Sequence, residues 1–159
     1  MLFSSSPPKP SPHNPVHHLM NYSELIQLYF ERSNALQAYW NLYVVIVGGL
    51  LAFSSLRKQP AIITTLVVSI LFGLFAYENH DAIQVATGQR LATHEAITKF
   101  DLSAAPPGAK QLRDLIEPTL TPASHGSVRT THLASDVLVI IALWAMELRR
   151  RRLQTTTAA

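Results

Sequence analysis

The stretch AYWNLYVVIVGGLLAFSSL (residues 38–56), then RKQP (57–60), then AIITTLVVSILFGLFAY (61–77) decides the fold. Both long runs lack a charged residue. At about 1.5 Å of rise per residue, roughly 20 apolar residues cross a hydrocarbon core of roughly 30 Å, so each run reads as a transmembrane helix. Lipid offers the backbone no partner, which drives both runs helical despite their β-branched residues. The four residues between them force an antiparallel return, with Pro60 suited to the first turn of the second helix, where a missing N–H costs nothing. Arg57 and Lys58 mark the side of the membrane that the turn faces.

Outward from that hairpin the helical pattern continues at both ends. Before it, Tyr22, Leu25, Ile26, Tyr29, Ser33, Leu36 and Trp40 recur at spacings of three and four, with Asn21 or Ser23 as N-cap and Glu24 in the first turn. The spacing predicts one helix over about 23–56, its first half outside the bilayer and Tyr39, Trp40 and Tyr43 at the water interface. After it, Ala82, Val85, Ala86, Thr93, Ala96, Ile97 and Phe100 fall on one side at 100° per residue, and His80, Asp81, Gln84, Glu95 and Lys99 on the other. The return helix therefore extends over about 61–101, with Gly88 as a point where it can kink. Folding about Lys58-Gln59 sets Trp40 near Tyr77, Leu36 near Asp81 and Tyr29 near Gly88, so the two extensions cover each other as an antiparallel coil. Inside the bilayer, Gly48 and Ala52 on the first helix and Thr65, Ser69 and Gly73 on the second repeat every four residues. Small residues at that spacing predict close helix packing within the hairpin.

The rest of the chain adds one more span. Ser103 to Gly108 breaks the helix, a short amphipathic segment occupies about 109–117 with Leu112, Leu115 and Ile116 on one face, and Thr119 to Gly126 reads as loop. A third membrane helix is expected over about 127–150, although its unbroken apolar core, residues 137–146, is about half of spanning length. Glu147 can pair with Arg150 and Arg151 at i+3 and i+4. Residues 1–21, rich in Ser, Pro and His, read as a solvated tail without the basic and apolar regions of a signal peptide, and residues 151–159 as a polar C-terminal tail. His13, His17 and His18 in the first tail have no fixed frame for metal coordination.

The expectation is thus an all-α, three-span helical membrane protein, one membrane domain over residues 22–150, with a long antiparallel hairpin extending outside the bilayer. Basic residues orient it. Arg57 and Lys58 fall on one side with the cluster Arg149, Arg150, Arg151 and Arg152, whereas acids balance the bases of the opposite side, so the turn and C-terminus are expected in the cytoplasm and the N-terminus outside. The setting expected is a cell membrane of multi-pass type, a bacterial inner membrane.

Chemistry is sparse. The absence of cysteine excludes disulfides, thiolate metal sites and cysteine nucleophiles. No basic cluster with interleaved aromatics stands apart from the membrane flanks, which argues against nucleic acid as a partner, and no phosphate loop, haem or flavin motif implies a cofactor. His94-Glu95 lacks the second His of a zinc protease, and Ser124-His125 with Asp114 lacks a nucleophile elbow. The candidate intramembrane polar site is Asp136, with His132 one turn before it and Asn41 and Asn79 at the same predicted depth. Three functions fit: a non-enzymatic interaction or assembly component acting with a second copy or a larger membrane protein, a pore or lesion former, and a proton- or ion-coupled component using Asp136 and His132. The three-span topology with a basic tail resembles that of small three-helix phage holins, and differs in its long external segment.

Overall fold

In the computed structural model, which describes residues 21–103 and 107–157, four α-helices and one 3-10 turn account for most of the described residues. Helix α1 (Tyr22–Leu56) and helix α2 (Ile62–Thr98) form the hairpin, α3 (Pro107–Ile116) with the 3-10 turn Glu117–Thr119 crosses over, and α4 (His125–Thr157) runs back along both. Helices α1, α2 and α4 are each long and apolar enough to cross a membrane. The protein is an all-α, three-span membrane protein. The tail histidines His13, His17 and His18 lie outside the described residues.

The start of α1 follows from its first residues. Asn21 Oδ1 accepts the backbone N–H of Glu24 at 2.9 Å, and Glu24 Oε2 accepts the N–H of Asn21 at 2.8 Å, a reciprocal capping box. Ser124 plays a similar role for α4, its Oγ accepting the N–H of Ser127 at 3.2 Å. Helix α4 begins at His125 and runs through Arg149–Arg152 to Thr157, so the segment expected to be a polar tail continues the third span as helix as far as it is described. Arginine and leucine are good helix formers, and nothing in residues 149–157 breaks the pattern.

Three cores lie along the long axis. The outer one joins Tyr22, Leu25, Ile26 and Tyr29 of α1 to Ile97, Leu102 and Leu120, with Leu112 and Ile116 of α3 packed on it. Burial out of water there contributes about 1.5–3 kcal/mol per large side chain. Leu115, grouped with Leu112 and Ile116 by its spacing, instead stands 68 % exposed. The middle core is Leu36, Ile83, Ala86 and Val128, and the membrane core is Tyr43, Phe72, Ala76, Val139 and Leu143. The outward faces of the spans carry Val44, Val45, Leu71, Leu74 and Leu138, all exposed and apolar, which is the surface a bilayer requires.

Two sequence expectations are corrected by this packing. The buried arc of α2 contains Asn79, Ile83, Ala86, Thr87, Thr93 and Ile97, whereas Val85 and Ala96, placed on the apolar side, are exposed. Helix α2 is covered by α4 as well as α1, and that second neighbour turns the arc. Tyr29 meets Arg90 and His94 rather than Gly88, and Tyr77 is exposed rather than set against Trp40. Gly88 makes no break. Helix α2 is continuous through it, and a Cβ there would lie 3.4 Å from Cε1 of His125, an ordinary contact with the first residue of α4.

The second correction concerns the small residues. Gly48, Ala52 and Gly73 are exposed, and a Cβ added at Gly48 or Gly73 would meet nothing within 4 Å. Only Thr65, buried, and Ser69, half-buried, face inward. The hairpin is spaced instead by bulk: Tyr43 stacks on Phe75 at 6.4 Å between ring centroids and tilts against Phe72 at the same distance, with Val47, Leu50 and Val68 beside them. Val139 and Leu143 of α4 pack into the same cluster.

Candidate functional site: two polar clamps

Towards the stalk end of the membrane core, polar groups from all three spans converge. Asp136 of α4 takes the hydroxyl of Tyr43 of α1 on Oδ1 at 2.8 Å, and its Oδ2 lies 2.8 Å from Nδ1 of His132, one turn earlier on α4. Nε2 of His132 in turn lies 3.2 Å from Nδ2 of Asn79 on α2. One tautomer satisfies every partner: His132 donates from Nδ1 to the carboxylate and accepts at Nε2 from the Asn79 amide. His132 is wholly buried, with Tyr43 at 4.6 Å, His80 at 5.3 Å and Trp40 at 5.6 Å between ring centroids.

Of the four residues proposed from the sequence, the structure therefore brings together Asp136, His132 and Asn79. Asn41 is exposed and accepts from Gln37 Nε2 at 3.1 Å, on the far side of α1. Tyr43 takes the place proposed for it. Two residues further along a helix is a rotation of about 200°, so equal depth does not mean the same face.

The opposite end holds a second clamp. Glu147 of α4 is wholly buried among cations, with Arg150 Nη2 at 3.1 Å, Arg57 Nη2 at 3.6 Å and Arg151 Nε at 3.6 Å. Thr65 of α2 donates to Glu147 Oε2 at 3.1 Å and receives Arg57 Nη1 at 3.2 Å. Arg150 Nη1 also donates to the backbone carbonyl of Ser54 near the end of α1, at 2.7 Å. The pairs of Glu147 with Arg150 and Arg151 follow from spacing alone. The contacts of Arg57, Thr65 and Ser54 join residues at least 82 apart in the chain to α4, and no local pattern signals them. The dibasic turn and the arginine cluster consequently occupy the same end of the bundle.

Elsewhere the chemistry proposed and set aside stays apart. Ser124 caps α4 and His125 Nδ1 lies 3.1 Å from Gln84 Oε1, while Asp114 borders a hollow with His94, Arg113 and Glu117. Among the described residues no three His, Asp or Glu side chains are grouped to hold a metal.

The fold and its two clamps define a small three-span helical membrane protein with an external helical stalk. Comparison of the chain with protein-family models, curated proteins and solved structures gives no match.

Proposed function

We propose that this protein is a non-enzymatic assembly component of the cell membrane, an anchor that holds a paired helical stalk outside the bilayer for a second copy or a larger membrane protein to bind. The observation that carries this reading is the layer between the clamps. Asp136 and Glu147 are eleven positions apart on one helix, roughly 16 Å, and the buried side chains between them are Phe72, Ala76, Val139 and Leu143. A proton or ion path needs polar groups in relay, and this layer supplies an apolar plug instead. The polar groups act as ties between helices, which matters in lipid because apolar packing alone selects partners weakly.

The other two readings gain less. A pore of several copies would line its lumen with outward faces, and those carry Val44, Val45, Leu74 and Leu138. Proton coupling through Asp136 and His132 would need a route past Leu143. The positive-inside rule places the basic end in the cytoplasm and the N-terminus with the stalk outside, as in a bacterial inner membrane.

Photo-crosslinking residues at Phe30 and Leu115, both exposed on the stalk, test the proposal in cells. A discrete crosslinked species containing a second copy or a membrane protein is expected. A strictly monomeric purified protein that yields no crosslink at either position would overturn it.

A further inference from the structure

The four consecutive arginines at the end of the third span divide into two pairs with different surroundings. Arg150 turns inward to Glu147, and Arg151, though exposed, keeps its Nε 3.6 Å from the same carboxylate. The side chains of Arg149 and Arg152 are exposed and make no hydrogen bond or ion pair with any described residue. They border an open hollow of about 460 Å³ whose other walls are Ala145, Leu148 and Leu153. Leu148 and Leu153 are 51 % and 59 % exposed, so the hollow has an apolar floor that nothing in the bundle covers.

Position makes this face selective. Residues 145, 148, 149, 152 and 153 follow the three-and-four spacing of one helix stripe, so Arg149 and Arg152 lie side by side with Cβ atoms roughly 5–6 Å apart. Guanidinium groups so placed can fork onto the oxygens of one phosphodiester. The stripe runs from the apolar outer wall of the span, at Leu138 and Ile141, into this basic turn, so the hollow sits where acyl chains give way to headgroups. A free phosphate would use the arginines and leave the leucines wet. A phospholipid uses both.

We propose that Arg149 and Arg152, with Leu148 and Leu153, form a binding site for an anionic phospholipid on the outer face of α4. The pair Arg150 and Arg151 belongs to the fold, and the pair Arg149 and Arg152 to the lipid.

The test uses the full chain purified in a mild neutral detergent and equilibrated with equal amounts of phosphatidylglycerol and phosphatidylcholine, the retained lipid being counted by native mass spectrometry. The parent is expected to enrich phosphatidylglycerol, and Arg149→Gln/Arg152→Gln to lose that enrichment by about twenty-five-fold, since each basic group near an anionic surface supplies about a factor of five. Lys99→Gln/Lys110→Gln removes the same charge from the stalk and should leave it unchanged. Neither arginine side chain has a hydrogen-bond or ion-pair partner among the described residues, so the helical circular dichroism of the variant should equal that of the parent. Arg152→Gln alone, nearer the helix end, should show a partial loss. Absence of enrichment in the parent, equal loss in the lysine control, or unchanged enrichment in both arginine variants overturns the proposal. Full displacement of phosphatidylglycerol by millimolar inorganic phosphate overturns the lipid assignment and leaves a phosphate site.

Discussion

The Tyr43 hydroxyl and the Asp136 carboxylate, 93 residues apart in the chain, meet at 2.8 Å and tie the first span to the third. Tyr43 is 4 % exposed, so its ring belongs to the membrane core while its oxygen reaches the polar cluster at the edge of that core. Removing only the hydroxyl isolates the tie from the packing. Tyr43→Phe is expected to destabilise the folded protein by about 0.5–2 kcal/mol, the range of side-chain hydrogen bonds between membrane helices. Reversible unfolding in mixed micelles measures it, and a variant as stable as its parent would mean that the bond contributes nothing net.

How this cluster reads in the sequence shows what a one-dimensional pattern carries. Depth in the bilayer is a count along a helix, and counting from the Arg57-Lys58 turn sets Asn79 level with Asp136, where the structure has it against His132, one turn earlier on α4. Azimuth is different. It depends on which helices are neighbours, and with α4 packed against both α1 and α2, Tyr43 faces inward to Asp136 and Asn41 faces outward. The same packing explains Val85 and Ala96 on the outside of α2. The hairpin, the three spans and the capping at Asn21 rest on local signals and were legible. The contact of Arg57 with Glu147 rests on a third helix arriving from far along the chain, and had no local signature.

The small residues provide a second prediction. Gly48 and Gly73 point into open space, so Gly48→Leu and Gly73→Leu should leave the stability of the single chain within about 0.5 kcal/mol, or raise it through better helix propensity. Ala76, 5 % exposed beside Tyr43 and Phe72, has no such room. Ala76→Leu is expected to cost about 1–3 kcal/mol by overpacking. Denaturant unfolding of the three variants in micelles compares them directly, and a large loss at Gly48 with none at Ala76 would mean the spans pack on the faces read from the small-residue spacing.

Acid should loosen the end of the stalk. Asp101 accepts the backbone N–H of Ser103 at 2.8 Å and its hydroxyl at 2.9 Å, and these bonds hold its carboxyl below the usual carboxylate range. A carboxyl whose folded pKa is depressed contributes stability above its unfolded pKa, and that contribution is lost as pH falls through the folded value. The Lys99 ammonium acts in the same direction on Glu95. The Ser103 amide is therefore expected to keep its protection from hydrogen exchange at neutral pH and to lose it only below the ordinary carboxylate range. In Asp101→Asn the acid-dependent step should disappear, and its persistence there would assign the transition to another group.

Glu147 offers the sharpest energetic test, because the groups around it differ in how much they depend on it. It is wholly buried, and Arg57, Arg150 and Thr65 all direct donors at it. Glu147→Ala would leave the Arg57 and Arg150 guanidinium groups, 16 % and 10 % exposed, facing each other without an anion. The expected loss is about 3–5 kcal/mol, that of breaking a buried pair by deleting one partner. Arg57→Gln should cost less, since Arg150 still neutralises the carboxylate. Arg150→Gln should lie between the two, because it also uncaps the carbonyl of Ser54. The double variant Glu147→Leu/Arg150→Met removes both charges and keeps the volume, and should recover most of the loss of Glu147→Ala. Thermal unfolding in micelles gives the four values. If Glu147→Ala were the mildest of them, the carboxylate would be a passenger of the arginine cluster and not the anion that gathers it.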